Sequence, residues 1–115
     1  MKKVVIFAFD GEPSCFAHVM INALDLKQRG CEVEVVLEGA STRLVKELAD
    51  PAKPFHKLFV QLKESGLITA VCRACANQMG ALKAAEEQGL PIVGDLFGHP
   101  PIGAWLDRGF EVITM

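Results

Sequence analysis

The feature that most constrains this chain is an unbroken apolar run, Val4-Val5-Ile6-Phe7-Ala8-Phe9, near its start. Successive side chains of a strand point to opposite faces, so such a run cannot rest with one face in water. It predicts a strand covered on both sides, the habit of parallel sheets. Apolar residues then recur at helical spacing from Cys15 to Arg29 (Phe16, Val19, Met20, Ala23, Leu24 and Leu26), and Gly30 supplies a stop. The alternation continues, with strands predicted over 32–37, 67–71, 92–93 and 110–114. Helical stretches are predicted over 42–49, 55–63, 74–88 and 102–108, the first two separated by Pro51 and Pro54. Strands and helices by turns predict an α/β fold with a parallel sheet, its right-handed crossovers placing helices on both faces.

At 115 residues the chain suits one domain spanning 1–115. Half of its residues are apolar and 23% are charged, a composition that buries a core and excludes disorder. The net charge is −2 with acids and bases intermixed, and there is one Trp and no Tyr. Without a basic patch or stacking aromatics, no nucleic-acid partner is expected. Lys2-Lys3 and the apolar run superficially resemble a signal peptide, but Asp10-Gly11-Glu12-Pro13 ends the run after six residues. That is too short for an export signal or a membrane span, so the expected location is the cytoplasm, with no membrane partner. In a reducing compartment the four cysteines read as thiols rather than as a disulfide framework.

Ligands of open α/β sheets bind at the carboxyl ends of the strands. The loops there are 10–15, 38–42, 72–75 and 94–103. Cys72 and Cys75 fall in this set, whereas Cys31 lies at the amino end of its strand; Cys15 has an ambiguous helical phase. Cys72 stands where a strand passes into a helix, so backbone N–H groups, the positive helix end and Arg73 would favour its thiolate, the form that attacks sulfur. Cys75 lies within one turn and is placed to resolve a mixed disulfide or persulfide. The competing reading is a pair of small buried hydrophobes. A thioredoxin-type site lacks the usual aromatic and Gly-Pro flank. Zinc lacks two further ligands, and Cys15, His18 and His99 show no metal spacing, so no metal site is expected. His99, in the Gly/Pro-rich loop, is a candidate proton donor or acceptor, or an exposed side chain of a turn. Asp10 is a candidate binding group or a turn cap, and Glu38 shares that ambiguity. His18 and His56 fall on helices as surface or satisfied interior residues. Neither Glu38-Gly39-Ala40-Ser41 nor Phe9-Asp10-Gly11-Glu12 has phosphate-loop spacing.

Across essentially its whole length the chain resembles the DsrE-like family, sulfur-relay proteins of the DsrE and TusD type. The resemblance rests on the opening strand, the element order, and a third strand ending in Cys72, with Gly80 eight residues on after a helical stretch. It implies a three-layer α/β/α sandwich with a mostly parallel sheet of about five strands. It further implies homo-oligomers (trimers or hexamers), sulfur-relay protein partners, and no organic cofactor. The implied activity is that of a sulfurtransferase or sulfur-carrier component holding sulfane sulfur as a persulfide on Cys72. Cys75 departs from the carriers' pattern, as does the short Ser65-Gly66-Leu67 approach to the third strand. Two other functions follow from the residues: a redox or sensor pair of Cys72 and Cys75, and a non-catalytic oligomeric module binding a small ligand or partner. Phe55-Leu58-Phe59-Leu62 and Phe97-Ile102-Trp105 are apolar sets suited to the core or to subunit contact.

Overall fold

The computed structural model describes all 115 residues. The chain runs β1 (Lys3–Ala8), α1 (Pro13–Gln28), β2 (Glu32–Leu37), then a 3-10 turn (Gly39–Arg43) leading into α2 (Leu44–Glu47). It continues α3 (His56–Glu64), β3 (Ile68–Cys72), α4 (Arg73–Gln78), α5 (Leu82–Glu87), β4 (Ile92–Val93), α6 (Ile102–Asp107) and β5 (Glu111–Thr114). All five strands are parallel, in the order β4-β3-β2-β1-β5. β1 lies between β2 and β5, and Val4 to Ala8 are all buried, as the apolar run requires. No helix is long and apolar enough to cross a membrane.

The strand order dictates where the helices go. Right-handed crossovers that step one way across a sheet lay their helices on one face, and a step back uses the other. The steps β1 to β2 to β3 to β4 share a direction. Their helices bury Phe16, Val19, Met20, Leu44, Phe59, Leu62, Ala76 and Ala85 in a single core against Ile6, Val35 and Leu37. The return from β4 to β5 crosses the whole sheet, and α6 covers the opposite face with Trp105 over Val5, Phe7, Val36 and Ala70. The result is a three-layer α/β/α sandwich with unequal outer layers.

The thin layer is pinned by a polar anchor. Glu34 accepts hydrogen bonds from Trp105 Nε1, Thr69 Oγ1 and Arg108 Nη2, each at 2.8 Å. Burial alone would raise the Glu34 pKa, but the Trp105, Arg108 and Thr69 hydrogen bonds, with the Arg108 charge, hold it below the usual carboxylate range. Trp105 also meets Phe7 edge to face, ring centroids 5.2 Å apart. Phe59, Leu62 and Trp105 are therefore core residues, while Phe97 is 95% exposed.

One element differs from expectation. The stretch 74–88 forms two short helices instead of one, because Gly80 turns the chain at φ 70° and Ala81 N–H donates to the Ala76 carbonyl. Helix formers on both sides do not reveal that break.

Candidate thiol site

At their carboxyl ends β3 and β4 send their connections to opposite faces, β3 directly into α4 and β4 toward α6. Such a divergence opens the crevice in which open α/β sheets bind ligands. Cys72, the last residue of β3, is buried at this divergence. The 94–101 connection crosses above it as a strap.

The strap is held by backbone. Ala74 N–H donates to the Gly98 carbonyl at 3.0 Å, and Leu96 pairs with His99. Gly98 has φ 90°, and a Cβ there would meet Ala74 Cβ at 3.0 Å, so this turn requires glycine. The opposite wall is the start of the 3-10 turn after β2. There the buried Ser41 hydroxyl lies 2.6 Å from the Ala8 carbonyl and 2.8 Å from the Glu38 carbonyl, fixing where β2 ends. These three loops bring together Cys72, Cys75, His99 and Glu38, whose donor atoms all lie within 4.8 Å of one another.

Cys72 is fully buried. Its Sγ lies 3.0 Å from His99 Nδ1 and 3.5 Å from the Gly98 carbonyl, and it accepts the Cys75 N–H at 3.4 Å. Cys75 is half-buried, its Sγ 3.6 Å from the same His99 nitrogen. His99 is partly exposed and its Nδ1 lies 3.5 Å from Glu38 Oε1. The Glu38 oxygen is buried and makes no hydrogen bond.

The electrostatics correct one expectation. Cys72 does cap α4 through its sulfur, and the Cys75 N–H favours the thiolate. Burial nevertheless dominates, and with the Cys75 thiol and the Glu38 carboxylate it pushes the Cys72 pKa far above that of a free thiol. Arg73 does not offset this: it is exposed and its side chain packs beside Gly94. At neutral pH Cys72 is a protonated thiol. His99 Nδ1, 3.0 Å away, is placed to take that proton when the site is engaged.

Of the residues singled out from the sequence, the fold brings Cys72, Cys75 and His99 together. Asp10 stands apart, accepting the Glu12 N–H at 2.8 Å as a turn cap. Cys15 is exposed, and desolvation with the neighbouring Asp10 carboxylate raises its pKa. His18 is exposed on α1, His56 bonds the Leu48 carbonyl at 2.7 Å, and Cys31 packs against the main core. Glu38, ambiguous in the sequence between a binding group and a turn cap, joins them in the cluster. Its signal was position alone, at the carboxyl end of a central strand. The largest concavity, about 580 Å³, lies at the other end of β3 between Lys63, Thr69 and Gln88.

Fold and site together define an α/β domain with a paired-thiol centre where β3 and β4 diverge. The chain is 32% identical over 98 residues to the uncharacterized protein MJ0733 of Methanocaldococcus jannaschii, a match covering 85% of this chain and 78% of that protein. It belongs to the same family as that archaeal protein. No protein-family model matches it. The structure also resembles that of BT1422, a conserved protein of unknown function from Bacteroides thetaiotaomicron. The TM-score is 0.72 at 23% identity over 99% of this chain and 95% of the other, which establishes the shared fold.

Proposed function

We propose that this protein is a cytoplasmic sulfur-relay protein of DsrE-like type, carrying sulfane sulfur as a persulfide on Cys72. The observation that carries the reading is the convergence of two thiols on one imidazole nitrogen at the carboxyl end of β3. In the loading step His99 takes the Cys72 proton, and the thiolate attacks the outer sulfur of a donor persulfide. The donor's S–S bond breaks as the new one forms, and the donor leaves as a thiolate that is then protonated. Unloading is the same exchange to an acceptor thiol, with no net oxidation. Cys72 is buried, so the donor must first displace the strap. The persulfide then rests under it, away from thiols in solution, with Cys75 its neighbour in the site. Protein partners presenting such donors, and a homo-oligomeric carrier, belong to this reading; Phe97, projecting from the strap, is suited to such an interface.

Mass spectrometry of the reduced protein after brief exposure to a sulfane-sulfur donor tests the proposal. A gain of one sulfur (about 32 Da) should persist in Cys75→Ser and vanish in Cys72→Ser. Retention of the gain in Cys72→Ser sinks the assignment.

The proximity of the sulfurs favours a second reading, a reversible Cys72–Cys75 redox pair. A disulfide needs the sulfurs at about 2.05 Å, a closure within reach from under 4.8 Å. Its signature is the loss of two hydrogens on mild oxidation, abolished in either serine variant.

A further inference from the structure

We propose that Glu38, Cys72, Cys75 and His99 form a binding site for a tetrahedrally coordinated, thiophilic divalent cation of the Zn²⁺ class. This goes beyond the sulfur-relay reading and does not depend on it. The expectation of no metal rested on a Cys-x-x-Cys lacking two further ligands. The fold supplies both, one from the turn after β2 and one from the strap after β4.

The donor set is chemically specific. Two thiolates and an imidazole select zinc or copper over the hard cations, and a carboxylate completes a ligand set common for zinc. The spacing also fits. With Zn–S at about 2.3 Å and Zn–N or Zn–O at about 2.0–2.2 Å, a tetrahedral ion holds its donors roughly 3.4–3.8 Å apart. His99 Nδ1 lies 3.6 Å from Cys75 Sγ, 3.5 Å from Glu38 Oε1 and 3.0 Å from Cys72 Sγ. Of these three pairs only the last must open, by roughly 0.5 Å, and the other donor pairs, all within 4.8 Å, need only draw together to reach that geometry.

A second observation points the same way. Glu38 is 8% exposed, its Oε1 faces the three other donors, and that oxygen makes no hydrogen bond. A buried carboxylate oxygen without a donor is rare, and a cation is one of the partners that satisfies it. The Cys75 N–H on Cys72 Sγ supports the negative charge that a metal-bound sulfur carries. Cys75 and His99 are the partly exposed donors, so the ion reaches the cluster from their side. Binding displaces one proton from each thiol, two in all. An ion held there occupies the sulfurs that a persulfide or disulfide would use, so metal and sulfur loading exclude each other.

The test is titration of the reduced, chelator-treated full chain with Co²⁺ followed by Zn²⁺. One equivalent of Co²⁺ should give thiolate-to-cobalt charge-transfer absorption with the intense visible bands of tetrahedral cobalt, and one equivalent of Zn²⁺ should discharge both. Cys72→Ser and Cys75→Ser should each remove about half of the charge-transfer intensity, one of two thiolate ligands. Glu38→Gln preserves side-chain shape and guards against misfolding of the cysteine variants. It should keep the charge-transfer band while weakening binding about tenfold or more. Absence of thiolate charge transfer in the unsubstituted protein overturns the site. So does a Co²⁺ spectrum and affinity unchanged in both Glu38→Gln and His99→Ala. Sulfane-sulfur uptake is measured on metal-free protein, so failure of either proposal leaves the other standing.

Discussion

At the scale of single residues, Cys72 and Cys75 share a histidine but not an environment. Cys72 lies wholly under the strap, whereas Cys75 stands at its lip, so reactivity should separate them. With iodoacetamide at neutral pH, peptide mapping should show Cys75 modified well before Cys72; equal rates would mean that the strap opens freely. The raised Cys72 pKa also sets a direction for stability. The folded state keeps this proton at pH values where an unfolded thiol, near pKa 8.5, has lost it. Between those two values the native state binds more protons, so stability is intact below about pH 8.5 and falls as pH rises further. Urea unfolding from pH 7 to 10 should show this decline, and Cys72→Ser should flatten it. Cys72 at a strand end is visible in the sequence as a site candidate, but its protonation is not, because burial beneath a loop 26 residues away overrides the local helix end.

At the scale of elements, the strap and α6 matter most. Gly98→Ala forces a side chain into a left-handed turn and against Ala74 Cβ. This should destabilise the protein by about 1 kcal/mol or more and speed alkylation of Cys72 relative to wild type. Helix α6 has only six residues, too few to hold itself together, and depends on what it packs against. Trp105→Ala removes the largest side chain over the second face and should cost about 3–5 kcal/mol. Glu34→Ala leaves the buried Trp105 N–H without its acceptor and should cost about 1–3 kcal/mol. The Glu34 pKa lies below its ordinary value of about 4.3, so its contribution is present above that pH and is lost as pH falls through the folded value. Glu34→Gln should remove that part of the acid sensitivity, seen as a flatter dependence of unfolding midpoint on pH below about 4.3. Trp105 and Arg108 are legible as a short helix in the sequence. Their partner on a strand 71 residues away is not, since nothing local marks which face Glu34 will join.

For the whole molecule, one topological fact organises the rest. The sheet is built in one direction from β1 to β4, and a single return crossing puts β5 beside β1. This makes one outer layer thick and the other thin, and it places the crevice between the only neighbouring strands whose connections leave to opposite faces. The alternation of strands and helices, the parallel sheet and the carboxyl-end position of Cys72 follow from local pattern: apolar runs, helical spacing and glycine stops act over a few residues and are written there. The strap over Cys72, the protonated state of its thiol and the recruitment of Glu38 were decided only by tertiary structure. Each depends on groups far apart in the chain meeting in a low-dielectric interior, and no spacing rule encodes that meeting.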